Sequence, residues 1–260
     1  MSGRLDGRTA LITGGNGGIG LAIARAYAAE GATLVIAGTN PAKLASAAIE
    51  LGELGASVTT IRADVSEREE CRRLSAEAVA VSGRIDVLVN GAGVYLSRRF
   101  GDYTPDEFSR IMDVNTAGPF HLCQAVLPHM VEAGYGRVVN IASSAGKWAS
   151  RNQAVYNMSK HALIGMTRCL ALEFAPHGIT VNALCPGLVH TDMSANLETE
   201  QAVAGGVSPE QVHQTMLGRI AIGRYLETGE CAPLAVLLAS EESAGMTGQS
   251  IMVDGGMVFV

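Results

Sequence analysis

TALITGGNGGIGLAIARAYAAE, residues 9–30, joins a short apolar run to a glycine-rich turn and then to a segment rich in helix-forming residues. Glycines after a strand permit a tight turn, and they let backbone N–H groups approach a pyrophosphate at the positive end of the next helix. Gly15, Gly17 and Gly20 fit the spacing G-x-G-x-x-G, whereas Gly14, Gly18 and Gly20 fit the wider spacing G-x-x-x-G-x-G. The stretch therefore predicts a strand, a phosphate-binding turn and a helix, with either spacing of the glycines.

Short apolar runs like the first recur along the chain, separated by segments of helical length. They are TLVIA (33–37), SVTTIRA (57–63), DVLVN (86–90), RVVNIA (137–142), ITVNAL (179–184) and SIMV (250–253). Strands that read as continuous apolar runs are buried on both faces, as in parallel sheets wrapped by helices. The pattern predicts a single α/β domain over residues 1–260, a Rossmann-type doubly wound parallel β-sheet flanked by helices. A polar stretch interrupts the alternation at residues 191–226, which predicts a variable substrate loop or lid, or an inserted helix pair.

Composition excludes several classes of protein. The 260 residues include 19 basic and 25 acidic side chains, a net charge of −6, so the basic footprint of a nucleic-acid-binding protein is missing. Hydrophobic residues make up 48% and charged residues 17%, which excludes an intrinsically disordered chain. No apolar run is long enough to span a bilayer and no signal-peptide core is visible, so we expect a cytoplasmic protein with no membrane contact. The five cysteines form no C-x-x-C pair, and we expect reduced thiols and no metal site.

The end of the second predicted strand bears on the choice of dinucleotide. In NAD-binding folds a carboxylate about 20 residues past the glycines binds the adenosine ribose. Here Gly38 occupies that place, and its neighbours Thr39 and Asn40 offer neutral hydrogen bonds. Because no carboxylate would repel a 2′-phosphate, the sequence favours NADP over NAD, with Lys43 or Arg62 as sources of positive charge. NAD stays open, since no arginine follows the strand directly.

Tyr156 and Lys160 are four residues apart in QAVYNMSKHALIGMTRCLALEF, a segment typical of a helix. This spacing places both side chains on one helix face. A tyrosine is a poor base near neutral pH, and an ammonium within about 4–6 Å favours the phenolate. The pair therefore suits proton exchange with a substrate hydroxyl or carbonyl while hydride moves to or from a nicotinamide.

These motifs together resemble those of the classical short-chain dehydrogenase/reductase (SDR) family, over nearly the whole chain. The family's glycine signature matches residues 13–20, its Asp-Val pair matches Asp64-Val65, and its Asn-Asn-Ala-Gly motif appears as residues 90–93, with Gly91 in place of the second asparagine. Its Tyr-x-x-x-Lys motif matches Tyr156 and Lys160. The resemblance implies an NAD(P)-dependent oxidoreductase that interconverts a secondary alcohol and a ketone.

The resemblance also implies roles for individual residues. Tyr156 is the acid/base, Lys160 lowers its pKa and holds the nicotinamide ribose, Ser143 binds the reacting oxygen, and Asn115 anchors a water that links Lys160 to solvent. The predicted cofactor contacts are Gly14, Asn16, Gly17, Gly18, Ile19, Gly20, Thr39, Asn40, Asp64, Val65, Asn90, Ala92, Gly93, Tyr156, Lys160, Pro186, Gly187, Val189 and Thr191. The family's spacing favours Ser143 over the neighbouring Ser144. A bracing role for Asn115 is the alternative.

The substrate pocket is expected between the loop after Ser143, the residues after Gly93 and the segment 191–226. The candidate substrate contacts are Ser143, Tyr95, Trp148, Gln153 and His190, and the polar loop GKWASRNQ (146–153) suits a sugar, polyol or hydroxy acid. An alternative within the family is a 3-oxoacyl-(acyl-carrier-protein) reductase. That enzyme needs a basic landing patch, and Gly134 and His177 stand where arginines are expected.

Two further expectations concern class and assembly. A non-catalytic dinucleotide-binding regulator typically loses the tyrosine or the lysine, and this chain keeps both, so an enzyme is favoured. In the SDR family the segments 105–133 and 153–174 pair across a subunit interface, so the resemblance implies a homotetramer.

Overall fold

In the computed structural model, which describes residues 3–259, the seven apolar runs form seven parallel strands of one sheet. The strands are β1 (Thr9–Thr13), β2 (Thr33–Gly38), β3 (Val58–Arg62), β4 (Val87–Asn90), β5 (Gly136–Ile141), β6 (Ile179–Pro186) and β7 (Ser250–Val253). Their order across the sheet is β3-β2-β1-β4-β5-β6-β7. The chain winds outward in one direction from β1 to β3 and in the other from β4 to β7, which is the predicted doubly wound fold. Residues 1, 2 and 260 of the predicted domain lie outside the described residues.

Helices cover both faces of the sheet. They are α1 (Gly18–Ala29), α2 (Pro41–Glu53), α3 (Arg68–Ser82), α4 (Pro105–Met112), α5 (Gly118–Ala133), α6 (Ala154–Phe174), α7 (Asp192–Gly205), α8 (Pro209–Leu217) and α9 (Ala232–Ala239). A π-helical turn, Asp113–Ala117, joins α4 to α5, so the predicted helical segment 105–133 is interrupted. Such turns often occur at functional sites. None of these helices is long and apolar enough to cross a membrane, within the part of the chain that the structure describes.

The core explains why the strands read as continuous apolar runs. Along β1, Ile12 faces the layer that contains α1 and α9, whereas Leu11 faces the layer that contains α3 and α5. Successive side chains of a strand point to opposite faces, so a strand buried on both faces needs an apolar residue at every position. All five residues of β1 are buried accordingly.

The predicted lid segment 191–226 contains the helix pair α7 and α8. These helices pack on a small separate core of buried residues. That core contains Leu188, Ala202, Val212, Met216, Ile220 and Tyr225. Thr191 caps α7 and Ser208 caps α8, each in a reciprocal capping box with the residue three positions later. The polar stretch in the sequence is therefore a capped helix pair with its own small core, as one of the two alternatives predicts.

Candidate active site

A cavity of about 1170 Å³ lies at the carboxyl ends of the strands, next to the switch point between β1 and β4. This is where doubly wound folds bind their ligands. The predicted site residues that line it are Gly14, Asn16, Gly17, Gly18, Ile19, Gly20, Ala92, Gly93, Tyr95, Ser143, Trp148, Gln153, Tyr156, Lys160, Pro186, Gly187, Val189, His190 and Thr191. Six predicted residues lie outside this lining: Thr39, Asn40, Asp64, Val65, Asn90 and Asn115.

The glycine-rich turn resolves the ambiguity in the glycine spacing. Gly14 and Gly18 have positive φ angles of 69° and 51°, which disfavour any other residue. A Cβ on Gly20 would lie 2.2 Å from the Gly14 carbonyl oxygen, so the helix start packs directly on the turn. Gly17 is extended, and a Cβ there would meet no protein atom within 4 Å. The wider spacing of Gly14, Gly18 and Gly20 is therefore the one that the backbone requires.

The first residues of α1 line the same cavity as this turn, and the first N–H groups of a helix have no partner within it. The open space beside Gly17 leaves room for a group to approach the backbone closely. A helix N-terminus of this kind attracts anions through its dipole and its free donors. The turn thus fits the pyrophosphate of a dinucleotide.

The structure explains why a glycine, Gly91, stands where the family usually has an asparagine. A Cβ at this position would lie 2.7 Å from the Thr13 carbonyl oxygen. The Thr13 hydroxyl also accepts hydrogen bonds from the N–H groups of Gly91 and Ala92, at 3.2 and 3.3 Å. Gly91 thus lets the ends of β1 and β4 approach each other at the floor of the cavity.

At the end of β2, where NAD-binding folds have a carboxylate, this structure has an amide that comes from the glycine-rich turn. The Asn16 side chain lies over Gly38, since a Cβ on Gly38 would be 2.8 Å from both of its amide atoms. Asn40 instead caps α2, its side chain accepting from the Lys43 N–H at 3.0 Å. The Lys43 ammonium lines the cavity and pairs with Asp192 at 3.0 Å, while Arg62 is exposed and does not line it.

Asp64, Val65 and Asn90 shape the site from outside the cavity. Asp64 accepts hydrogen bonds from the backbone N–H and the hydroxyl of Ser66, which fixes the turn after β3. Val65 is buried where Gly118 begins α5, and a Cβ on that glycine would lie 2.9 Å from Val65. Asn90 is buried in the sheet and donates to the Asn140 side chain at 2.7 Å.

Tyr156 and Lys160 lie on one face of α6 and are both buried, 9% and 5% exposed. The Lys160 Nζ donates to the Ile141 carbonyl at 2.9 Å and lies 5.7 Å from the centre of the tyrosine ring. Burial raises the pKa of the Tyr156 phenol above its ordinary value, opposed by the Ser143 hydroxyl, and burial lowers the pKa of Lys160 to about 8. The sequence predicts that Lys160 lowers the pKa of the phenol; here the largest effect on that pKa is desolvation of the buried phenol, and the role of Lys160 stays a prediction.

Ser143 and Ser144 both line the cavity at the end of β5, but they differ in exposure. Ser144 is 5% exposed and begins a short 3-10 turn, whereas Ser143 is half-buried. The Ser143 hydroxyl accepts a hydrogen bond from the Ala145 N–H at 3.1 Å. A second hydrogen bond, between this hydroxyl and the Tyr156 phenol, lowers the pKa of the phenol. A serine lowers the pKa of a phenol by donating to it, so a ligand in the cavity would have to replace the phenol as the acceptor of the Ser143 hydrogen.

Asn115 braces the wall of the site. Its amide nitrogen donates to the Val94 carbonyl and to the Ser159 hydroxyl, at 2.9 and 3.1 Å, and its oxygen accepts from the Val94 N–H at 2.8 Å. Both amide hydrogens are thus used within the protein. These contacts match the bracing role that the sequence left as the alternative, and the water-anchoring role of Asn115 stays a prediction.

The predicted substrate residues line the same cavity as Tyr156, and one of them, Tyr95, contacts it. The Tyr95 ring packs edge-on against Tyr156, with ring centres 5.0 Å apart. Trp148 lies under the guanidinium of Arg219, whose central carbon is 4.0 Å from the ring centre. His190 packs on Tyr225, with ring centres 5.2 Å apart. Arg219 and Gln201 line the cavity as well, and sequence reasoning missed both because nothing in the polar stretch distinguishes them.

A family model described as short chain dehydrogenase matches residues 8–202. The chain belongs to the short-chain dehydrogenase family. This short-chain dehydrogenase is therefore an oxidoreductase, and the site just described is the part of it that carries the family's motifs. The resemblance inferred from the sequence is confirmed.

Relatives of this short-chain dehydrogenase include enzymes with different substrates. It is 36% identical to a D-beta-hydroxybutyrate dehydrogenase of Rhizobium meliloti, covering 96% of this chain and 98% of that protein. It is 35% identical to a 3-oxoacyl-(acyl-carrier-protein) reductase of Thermotoga maritima, covering 98% and 99% of the two chains.

Two solved structures are similar to this chain, and each contains one nicotinamide cofactor, NAD⁺ in the first and NADPH in the second. An NAD⁺-bound xylitol dehydrogenase superposes with a TM-score of 0.94 at 34% identity, covering 97% of this chain and 99% of that one. An actinorhodin polyketide ketoreductase with NADPH superposes with a TM-score of 0.93 at 35% identity, covering 99% of both chains. The fold is confirmed, and neither cofactor is singled out.

Proposed function

We propose that this short-chain dehydrogenase is an NAD(P)-dependent enzyme that interconverts a secondary alcohol and a ketone on a small polar substrate. The observation that carries the proposal is a single cavity lined by the glycine-rich turn, Ser143, Tyr156 and Lys160. When bound, the nicotinamide supplies the acceptor or donor of the hydride. The relatives and solved structures support a cofactor of this kind.

The side chains divide the remaining work. Ser143 donates a hydrogen bond to the substrate oxygen, and Tyr156 gives that oxygen a proton in reduction or takes one in oxidation. Because burial raises the pKa of Tyr156, its protonated form dominates near neutral pH, which suits reduction. Alcohol oxidation requires the phenolate, so we expect it to gain more from a rise in pH than ketone reduction does. Lys160 supplies the positive charge that favours the phenolate and a donor for the nicotinamide ribose.

The direct test is a panel of secondary alcohols and ketones, including polyols and sugar acids, with each cofactor in turn. The near-ultraviolet absorbance of the reduced nicotinamide measures turnover. Turnover of no member of the panel with either cofactor would contradict the proposed function.

We favour NADP as the cofactor. The neutral Asn16 amide over Gly38 and the ammonium of Lys43 in the cavity support this choice. A carboxylate introduced here as Gly38→Asp repels a 2′-phosphate and accepts hydrogen bonds from a free ribose diol. Like charges brought together cost several kcal/mol, so the ratio of kcat/KM for NADP over NAD falls by at least about tenfold.

The control for this variant is Gly38→Ala, which crowds Asn16 in the same way without adding charge. Initial rates with both cofactors measure the ratio. An unchanged ratio in Gly38→Asp, or the same change in Gly38→Ala, would mean that this position does not select the cofactor by charge.

The alternative function, reduction of 3-oxoacyl groups on acyl carrier protein, has the Thermotoga maritima relative in its favour. That partner is acidic and needs a basic surface near the site. Gly134 ends α5 and His177 is exposed after α6, so neither place carries an arginine. A free small molecule is therefore our preferred substrate, and a regulator without activity is disfavoured because Tyr156 and Lys160 are both retained.

We further propose that residues 191–226 act as a substrate lid. Helix α7 contacts the loop after β4 at three points, which close one side of the cavity. The Gln201 amide donates to the Tyr95 hydroxyl at 3.3 Å, the Ser97 N–H donates to Glu200 at 2.8 Å, and the Arg99 guanidinium donates to the Ala204 carbonyl at 3.0 Å. Three hydrogen bonds, one exposed and two part-buried, are few enough to suit a segment that opens and closes.

A cytoplasmic homotetramer remains our prediction for the assembly and location. Large apolar side chains are exposed on the helices expected at the interface: Phe108, Phe120, Met158 and Leu172, at 41, 46, 48 and 83%. Met158, Gly165 and Leu172 recur every seven residues along α6, which places them on one face. An exposed apolar stripe of this kind is typical of a surface that another chain covers.

We expect light scattering after size exclusion to give the mass of four chains. Leu172→Glu places a charge in this stripe and lowers the mass to that of a dimer or monomer. Val203→Glu is the matched control, since Val203 is 77% exposed on α7, away from the expected interface helices. A monomeric wild-type chain, or equal effects of the two variants, would contradict the predicted assembly.

A further inference from the structure

The charges that line the cavity are strongly unbalanced. Within residues 3–259, the cavity is lined by one carboxylate, that of Asp192, and by five cationic side chains. The cations are Arg25, Lys43, Arg151, Lys160 and Arg219. Arg25 pairs with Glu50 and Lys43 pairs with Asp192, while Lys160 donates to a backbone carbonyl. Arg151 and Arg219 have no carboxylate within ion-pair distance among the described residues.

Arg219 is the fixed member of these two. Its guanidinium stacks on the Trp148 ring at 4.0 Å, and burial lowers its pKa without removing the charge of an arginine. No acceptor in residues 3–259 takes a hydrogen bond from its side chain, so the N–H edge of the stacked plane is free. Arg151 and Arg219 are both exposed, but Arg151 makes no comparable contact with an aromatic ring, so its charge is solvated.

Trp148 connects Arg219 to the catalytic helix. Its carbonyl accepts from the Asn157 amide at 2.9 Å, and Asn157 directly follows Tyr156. The Ser150 hydroxyl bonds Gln153 and Asn157, at 2.9 and 3.2 Å, which fixes the loop between them. The Trp148 ring that the guanidinium covers therefore belongs to a loop that is fixed relative to Tyr156.

We propose that Arg219, stacked on Trp148, is the substrate-recognition residue for a carboxylate, and that the substrate is a hydroxy or keto acid. A planar guanidinium with one face stacked presents two parallel N–H groups to a carboxylate in a bidentate pair. Arg219 follows α8, so such a pair also ties the bound acid to the lid segment. This inference rests on the proposed function for the reaction, but the anion site has a readout of its own.

Trp148 is the one tryptophan of the chain, so its fluorescence reports directly on the proposed site. The full chain is titrated with 3-hydroxybutyrate and 3-hydroxybutyramide, and with gluconate and gluconamide, in the presence of cofactor. These pairs differ in the carboxylate alone. A hydrogen-bonded charge contributes about 10- to 100-fold in affinity, so the wild type binds at least one acid more tightly than its amide by about that factor.

Arg219→Met removes the charge with little change in length and abolishes this preference, weakening acid binding by about 10- to 100-fold and leaving amide binding unchanged. Arg151→Met is the matched control and keeps the preference. The inference is overturned if the wild type binds no acid better than its amide, or if Arg219→Met weakens acid and amide equally.

Turnover separates this inference from the proposed function. Arg219-dependent binding of an acid without hydride transfer on the alcohol and ketone panel would contradict the proposed function and retain the anion site. Turnover of neutral alcohols that Arg219→Met leaves unchanged, with no preference for acids, would retain the function and contradict the anion site.

Discussion

Tyr156→Phe lowers kcat by about 10²- to 10⁴-fold while cofactor affinity stays near that of the wild type, because the variant loses the one group placed to exchange a proton with the substrate oxygen. The phenol is buried beside Ser143 and above the Lys160 ammonium, and the ring itself packs on Tyr95. Phenylalanine keeps this packing and removes the hydroxyl alone. Steady-state rates and a cofactor titration measure the two effects separately.

The matched control is Tyr135→Phe. Tyr135 lies at the opposite end of β5, where its ring is covered by the guanidinium groups of Arg8 and Arg137. Loss of that hydroxyl leaves kcat unchanged. Retained turnover in Tyr156→Phe would remove this residue from the role of acid/base.

Gly20→Ala has the second large effect, on stability and on cofactor binding together. The new methyl would lie 2.2 Å from the Gly14 carbonyl oxygen and 2.7 Å from its carbon, and both atoms belong to the backbone. The turn and the start of α1 must therefore separate, at a cost of about 1–3 kcal/mol or more in the free energy of unfolding. Chemical denaturation measures the loss, and a cofactor titration shows the loss of the phosphate-binding turn.

Gly17→Ala separates the two effects. Gly17 is extended and its new methyl meets no protein atom, so the free energy of unfolding is kept. The methyl stands at the edge of the cavity, where it obstructs the approach of a pyrophosphate, and cofactor affinity falls. Gly52→Ala in α2 is the control, because a Cβ there also meets no atom within 4 Å. It lowers neither the cofactor affinity nor the free energy of unfolding. Wild-type stability and affinity in Gly20→Ala would contradict the close approach seen here.

How much of the fold could be predicted differs between its parts. The strand segments were predictable because each one is buried on both faces, and burial on both faces leaves a continuous apolar run in the sequence. The interruption at 113–117 was not, because a π-helical turn leaves the composition of a helix unchanged. The helix pair of 191–226 reads as polar because its small core takes few residues from each helix.

In the candidate site, too, some features could be predicted from the sequence and others could not. Tyr156 and Lys160 were predictable because helix geometry alone places residues four apart on one face. The burial of the Tyr156 phenol, which raises its pKa, was not predictable, since burial depends on how the rest of the chain packs around the helix. Arg219 was missed because its significance comes from Trp148, which lies 71 residues earlier in the chain and meets it through tertiary packing alone.

The sequence by itself determined the family and the parallel sheet, and it named the residues that we propose to carry the chemistry, because local spacing and continuous apolar runs can be recognised along the chain. Only the tertiary structure decided which glycines the turn requires, that an amide replaces the carboxylate at the end of β2, and that a free guanidinium faces the cavity. Each of these depends on a distance between atoms far apart in sequence. Such distances follow from how the helices pack on the sheet, and local sequence patterns do not specify them.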